Sequence, residues 1–195
     1  MTLMTLLQPF HMMAERLGLT LPDIELAQPE EMPSPQRDLL VHHGDMTLRL
    51  QDHYRLPIHL DTLKVMQDGD VLYRKVLLRL SDGRIVEFGV IRIFLDVFPD
   101  EVRRLVEACY FPLGGLLHRY QIGHHSSLQG FVTCFSDGIL ERILGLGATT
   151  RLYGRLNRLL TDDDRCIAEV MEILPPKAVD PESFEMDRDT LGAGS

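Results

Sequence analysis

VLYRKVLLRLSDGRIVEFGVIRIF, running from Val71 to Phe94, is the stretch whose reading decides the fold. Two apolar runs rich in β-branched residues flank Ser81-Asp82-Gly83, a composition that turns a chain back on itself as a hairpin. Asp68-Gly69, just upstream, repeats the signal. Three antiparallel strands are therefore expected, at about 58 to 67, 70 to 80 and 84 to 95. Strand side chains alternate between faces, so Leu72, Arg74, Val76, Leu78 and Leu80 share one face. In the next strand Val86, Phe88, Val90, Arg92 and Phe94 group in the same way.

Downstream, Pro99 opens a helix that turns Val102, Leu105, Val106 and Cys109 inward, and a second short helix begins near Pro112. Two closing strands are expected at about 149 to 160 and 165 to 174. Upstream, Leu6, Leu7, Phe10, Met13 and Leu17 stand at helical spacing over 5 to 17. The Pro-rich, acidic stretch from Leu21 to Pro35 breaks that period and reads as a linker. Ser34-Pro35 supplies the cap and first position of a short helix through Leu39, Leu40 and Val41, and Asp45 caps another through Met46, Leu48 and Leu50. The organisation predicted is a helix and linker over 1–35, one domain over 36–175, and an acidic tail without structure over 176–195. Strands, inserted helices, then strands again make an α+β domain, a single antiparallel β-sheet with helices packed on one side.

Composition sets the outer bounds. A chain of 195 residues fits one domain, and 45% hydrophobic with 25% charged residues is ordinary for a soluble protein. No run of eighteen apolar residues offers a membrane span. Glu15 and Arg16 interrupt the first segment, which lacks a signal-peptide pattern, so a cytoplasmic location is expected. Cys109, Cys134 and Cys166 are too scattered for a disulfide framework or a zinc knuckle. The net charge of −9 disfavours a nucleic-acid partner, which needs a basic footprint. A small anion remains compatible, because a pocket can be locally positive.

Charges set among apolar strand residues are the informative anomalies. Arg74 stands with four aliphatic residues, and Glu172 shares its parity with Cys166, Ala168, Val170 and Leu174. A buried charge is costly unless a partner charge, a hydrogen-bond set or a ligand meets it. Arginines lining a cavity would suit a carboxylate, whose two oxygens match the guanidinium fork. The plainer reading is structural: Arg74 or Arg92 pairs with Glu172 or Glu169, or the face is solvated. His42-His43 and His124-His125 lack the spacing of a metal site, so no metal is assigned. Gly114-Gly115 and Gly145-x-Gly147 are too short for a phosphate loop, and no G-x-S-x-G elbow is present.

Five motifs stand in order between about 39 and 175: Leu39-Leu40 leading to Asp45-Met46-Thr47-Leu48-Arg49, then Arg74-Lys75-Val76-Leu77-Leu78, Pro112-Leu113-Gly114, Tyr153-Gly154-Arg155, and Glu172-Ile173-Leu174-Pro175. Together they resemble the chorismate pyruvate-lyase (4-hydroxybenzoate synthase) family. That resemblance implies a chorismate lyase-like α+β fold, Arg74 and Glu172 as catalytic residues on the carboxylate and the 4-oxygen, and backbone amides at Met46 and Leu113, beside Gly114, completing the substrate site. It implies no metal and no cofactor. Members carry a Gly-Arg pair where this chain reads Gly89-Val90, so Arg92, two positions on, is the candidate replacement. Glu169 stays open as an alternative to Glu172. The activity implied is removal of pyruvate from chorismate to give 4-hydroxybenzoate. A non-catalytic binder of a small aromatic or enolpyruvyl carboxylate is the rival, since the same fold resembles effector domains of transcription regulators.

Overall fold

The computed structural model describes residues 3–180 of the chain. The hairpin read from the sequence is there: β2 (Ile58–Asp68), β3 (Val71–Leu80) and β4 (Ile85–Phe94) form an antiparallel meander. After it come α4 (Asp100–Glu107), α5 (Leu113–Arg119), β5 (His124–Phe135), α6 (Gly138–Ile143), β6 (Arg151–Thr161) and β7 (Cys166–Leu174). Before it come α1 (Leu3–Arg16), β1 (Ile24–Ala27), α2 (Gln36–Leu40) and α3 (Met46–Tyr54). The seven strands make one antiparallel sheet in the order β1-β5-β6-β7-β4-β3-β2. The α+β architecture expected from the sequence is the one observed.

Helices α2 to α5 gather on one face, in two groups. Leu39, Leu40, Met46 and Leu50 of α2 and α3 pack on Leu78, Val86, Tyr153 and Leu174. Val102, Val106, Leu113 and Leu116 of α4 and α5 pack on Leu72, Ile91, Ile93 and Val170. The opposite face is covered by α1, whose Leu6, Leu7, Phe10, Met13 and Leu17 meet Leu77, Phe88, Val90 and Met171, with Leu140 and Ile143 of α6 beside them. The helical period seen at the N-terminus is thus a core contact with the sheet.

Two boundaries differ from expectation. The stretch read as a linker contains β1, which pairs with β5 from Ile24↔Cys134 to Ala27↔Phe131, because Leu26 and Ala27 leave just enough extended chain between Pro22 and Pro29 to add an edge strand. In the segment read as a structureless tail, Val179 exchanges two backbone hydrogen bonds with Ile85, at 2.8 and 2.9 Å. The rest of that tail lies outside the described residues. Gln36 closes the seam, its amide donating to the carbonyls of Pro175 and Pro176 at 2.9 and 2.7 Å.

Gly154 shows how tightly β6 lies on β7. A Cβ there would stand 2.3 Å from the Glu172 carbonyl oxygen, well inside contact distance. Gly154→Ala is expected to force the strands apart at a cost of about 1–3 kcal/mol, read as a lower urea midpoint. Among the described residues no helix is long and apolar enough to cross a membrane.

Candidate functional site

Between the two helical groups the apolar face of the sheet is interrupted. Arg74, Glu87, Gly89, Arg155 and Glu172 come from four neighbouring strands and line a cavity of about 60 Å³. Its roof is made by the starts of two helices, Asp45, Met46 and Thr47 of α3 and Pro112, Leu113 and Gly114 of α5. Register sets the arrangement, because opposed residues share a face. Arg74 opposes Ile91, while Gly89 lies between Val76 and Glu172, and Glu172 opposes Arg155. Gly114 lets the roof close: a Cβ on it would sit 3.3 Å from Asp45 Cβ. His124 holds Asp45 from the other side, its Nε2 lying 3.1 and 3.2 Å from the two carboxylate oxygens. That hydrogen bond raises the His124 pKa, against the opposing effect of burial.

At one end of the cavity Arg74 is 1% exposed, and neither its Nε nor its Nη1 has a hydrogen-bond partner among the described residues. Burial pulls its pKa downward, opposed by the thiol of Cys109. A guanidinium does not give up its proton in a protein, so the result is a buried cation without a counter-charge.

At the other end Arg155, also 1% exposed, is satisfied. Its Nε donates to Glu172 in a short ion pair, Nη1 lies 3.1 Å from His42 Nε2 and donates to the His42 carbonyl at 3.3 Å, and Nη2 donates to Gly44 O at 3.3 Å. Burial, and then Arg155, hold His42 down to about 4, so its imidazole is neutral near pH 7. Glu87 shares this end and is 4% exposed, with Oε2 unpartnered among the described residues. Burial and the neighbouring Glu172 push its carboxyl well above the ordinary value of 4.5, outweighing the pull of Arg155.

That shift carries a sign. The folded chain keeps the Glu87 proton at pH values where the unfolded chain has lost it, so folding binds a proton and stability falls as pH rises above 4.5. In Glu87→Gln this decline is expected to flatten, and the gap in unfolding free energy between variant and parent to widen with pH before levelling. Urea melts over a pH series measure it.

Of the residues named from the sequence, Arg74, Glu172, Met46, Leu113 and Gly114 line this cavity. Arg92 is not among them. It opposes Tyr73, one position away from Arg74, and so points to the opposite face, where it forms a short ion pair with Glu169. Glu169 lies on that same far face, which removes it as the alternative to Glu172. Arg92 with Glu169 is one of the structural pairings the sequence offered, whereas Glu172 pairs with Arg155, which was not among them. Glu87 and Arg155 complete the site and were not singled out, although Glu87 carries the same signal as Arg74, a charge inside the apolar run Ile85–Phe94. Among the described residues no group of three or more His, Cys, Asp or Glu could hold a metal ion.

No family model matches the chain, and no curated protein matches it. Solved structures do. PhnF from Mycobacterium smegmatis aligns over 89% of this chain and 95% of its own with a TM-score of 0.53 at 14% identity. Its effector domain aligns over 68% and 89%, with a TM-score of 0.52 at 16% identity. A gene product of Staphylococcus aureus gives 0.53 at 8% identity over 73% and 92%. The possible transcriptional regulator YydK from Bacillus subtilis is matched over 61% of its length, with a TM-score of 0.49 at 9% identity. At these identities the likeness is one of fold, the chorismate lyase-like α+β architecture.

Proposed function

We propose that this protein is a binding domain for a small aromatic carboxylate, with Arg74 receiving the carboxylate group. The observation that carries the reading is the buried guanidinium of Arg74 at the end of a cavity, whose Nε and Nη1 have no hydrogen-bond partner among the described residues. Its isolation costs the empty protein stability that an incoming carboxylate would return as two parallel charge-assisted hydrogen bonds. The charges along the lining favour a single carboxylate on the ligand. Arg155 pairs with Glu172 and Asp45 with His124, the raised pKa of Glu87 favours its neutral form, and Arg74 is left without a counter-charge among the described residues. The effector domain of PhnF, with the same fold, supports a binding role.

The cavity as it stands has room for a few water molecules, far less than the space an aromatic ligand needs. The ring is therefore admitted as the roof at Asp45–Thr47 and Pro112–Gly114 parts from the sheet. Slower amide exchange in those two segments on ligand binding is part of the reading.

Chorismate cleavage to pyruvate and 4-hydroxybenzoate is the second reading. It is favoured by Glu87, an acid beside Glu172 whose raised pKa suits it to protonate a departing ether oxygen. Chorismate, however, carries two carboxylates, and the second arginine clamp expected at Arg92 points away from the cavity. Calorimetric titration with 4-hydroxybenzoate, run beside a pyruvate assay with chorismate, separates the two. One-to-one binding without pyruvate is the expected result. Pyruvate release would establish the lyase, and no heat with any benzoate would end the carboxylate reading.

A further inference from the structure

Among the described residues two side chains lining the cavity have buried polar atoms without a hydrogen-bond partner: Arg74 at Nε and Nη1, and Glu87 at Oε2, a base and an acid. Glu87 lies four positions before Ile91, the residue opposite Arg74, so the two stand roughly 13 Å apart along the sheet, on the same face. Its carboxyl leans over bare backbone, Oε1 being 3.5 Å from where a Cβ of Gly89 would be. The cation at that end, Arg155, already spends its hydrogen bonds on Glu172, His42 and Gly44. Two carboxyl groups thus share one guanidinium whose hydrogen bonds are already spent, which leaves Glu87 Oε2 without a partner among the described residues.

We infer that the ligand is dipolar, carrying at the end away from its carboxylate an amino group that Glu87 receives. This rests on the carboxylate reading of Arg74 and adds the chemistry of the opposite end. With such a ligand Arg74 pairs with the carboxylate and Glu87 with the ammonium, beside the existing pairs of Arg155 with Glu172 and His124 with Asp45. A methyl or ethyl group in that position would leave Glu87 as it is, buried and unsatisfied.

The proton balance gives the inference a signature. The groups that face Glu87 are Glu172 on β7 and Arg155 on β6, with His42 and Asp45 beyond them in the roof. In the empty cavity burial and Glu172 favour the protonated form of Glu87. When an ammonium arrives, the ion pair forms and that proton leaves to solvent, with no other group required to change charge.

The test compares 4-(aminomethyl)benzoate with 4-ethylbenzoate, which have the same shape and the same carboxylate. The amine is expected to bind at least tenfold more tightly. Calorimetry in buffers of different ionisation enthalpy is expected to find about one proton released per amine bound and none for the ethyl compound. Glu87→Gln, with its fold checked by circular dichroism, is expected to bring the two affinities together and abolish the proton release. Equal affinities in the parent protein would overturn the inference and leave the carboxylate reading standing. A preference that survives Glu87→Gln would put the amine elsewhere and overturn it too. Binding of neither compound would remove both readings.

Discussion

Arg74→Met is expected to raise the melting temperature of the empty protein while lowering its affinity for a benzoate about a hundredfold or more. The two effects share one cause. Arg74 is buried with two nitrogens unpartnered among the described residues, on a strand face otherwise aliphatic. Methionine has a similar reach and no charge, so the substitution removes a desolvation cost of about 1–3 kcal/mol. For a chain of this length each kcal/mol moves the melting temperature by about 2–4 °C. Differential scanning calorimetry and ligand titration of the same two samples measure both. A lower melting temperature would mean that the guanidinium holds the fold together, and the site argument built on it would fall.

Arg155→Ala is expected to do the opposite and to be the most damaging single change in the cavity, costing about 3–5 kcal/mol near neutral pH. It leaves Glu172 and Glu87 side by side without a cation, and it frees the carbonyls of His42 and Gly44. The cost depends on pH with a definite sign. Without the arginine, burial and mutual repulsion raise the carboxyl pKa values in the folded chain, so folding takes up protons and the loss grows as pH rises. Urea melts at about pH 5 and about pH 8 should differ, with the larger deficit at the higher value. Removing the partner as well, in R155M/E172L, should recover most of the loss, because a buried ion pair replaced by apolar groups of similar size is often neutral.

How far the sequence could be read depended on how local each determinant is. Strands β2, β3, β4 and β7 were readable because their apolar runs end at Asp-Gly turns or Pro residues, and β6 because it runs between Gly147 and the Asp162–Asp164 turn. Strand β5 was not. Its first half, His124 to Gln129, is polar apart from Leu128 and ends in a register shift before Gly130, so the strand shows no alternation and only the short apolar run Phe131–Phe135. Its membership of the sheet comes from its neighbours. Arg74 and Glu172 could be found as charges out of place, since that signal lies within one strand. Which face Arg92 takes could not, because it depends on how β3 and β4 are aligned and on the bulge between Leu78 and Arg79. A displacement of one residue moves a side chain to the other side of the sheet. The pairing of Arg155 with Glu172 is likewise a property of strand order, which no single segment contains.

That order has a consequence for how the molecule assembles. The strand carrying Glu172 is the last of the seven along the chain, yet it sits between β6 and β4 and is the sole link between the two halves of the sheet. The meander β2 to β4 and the pair β5 and β6 can each form early from neighbouring segments, but they remain separate ribbons until residues 166–174 slot between them. Acquisition of the native state should then be slow and governed by this late docking step, as for other topologies dominated by distant contacts. A chain emerging from the ribosome would hold no cavity until residues 166–174 had been made.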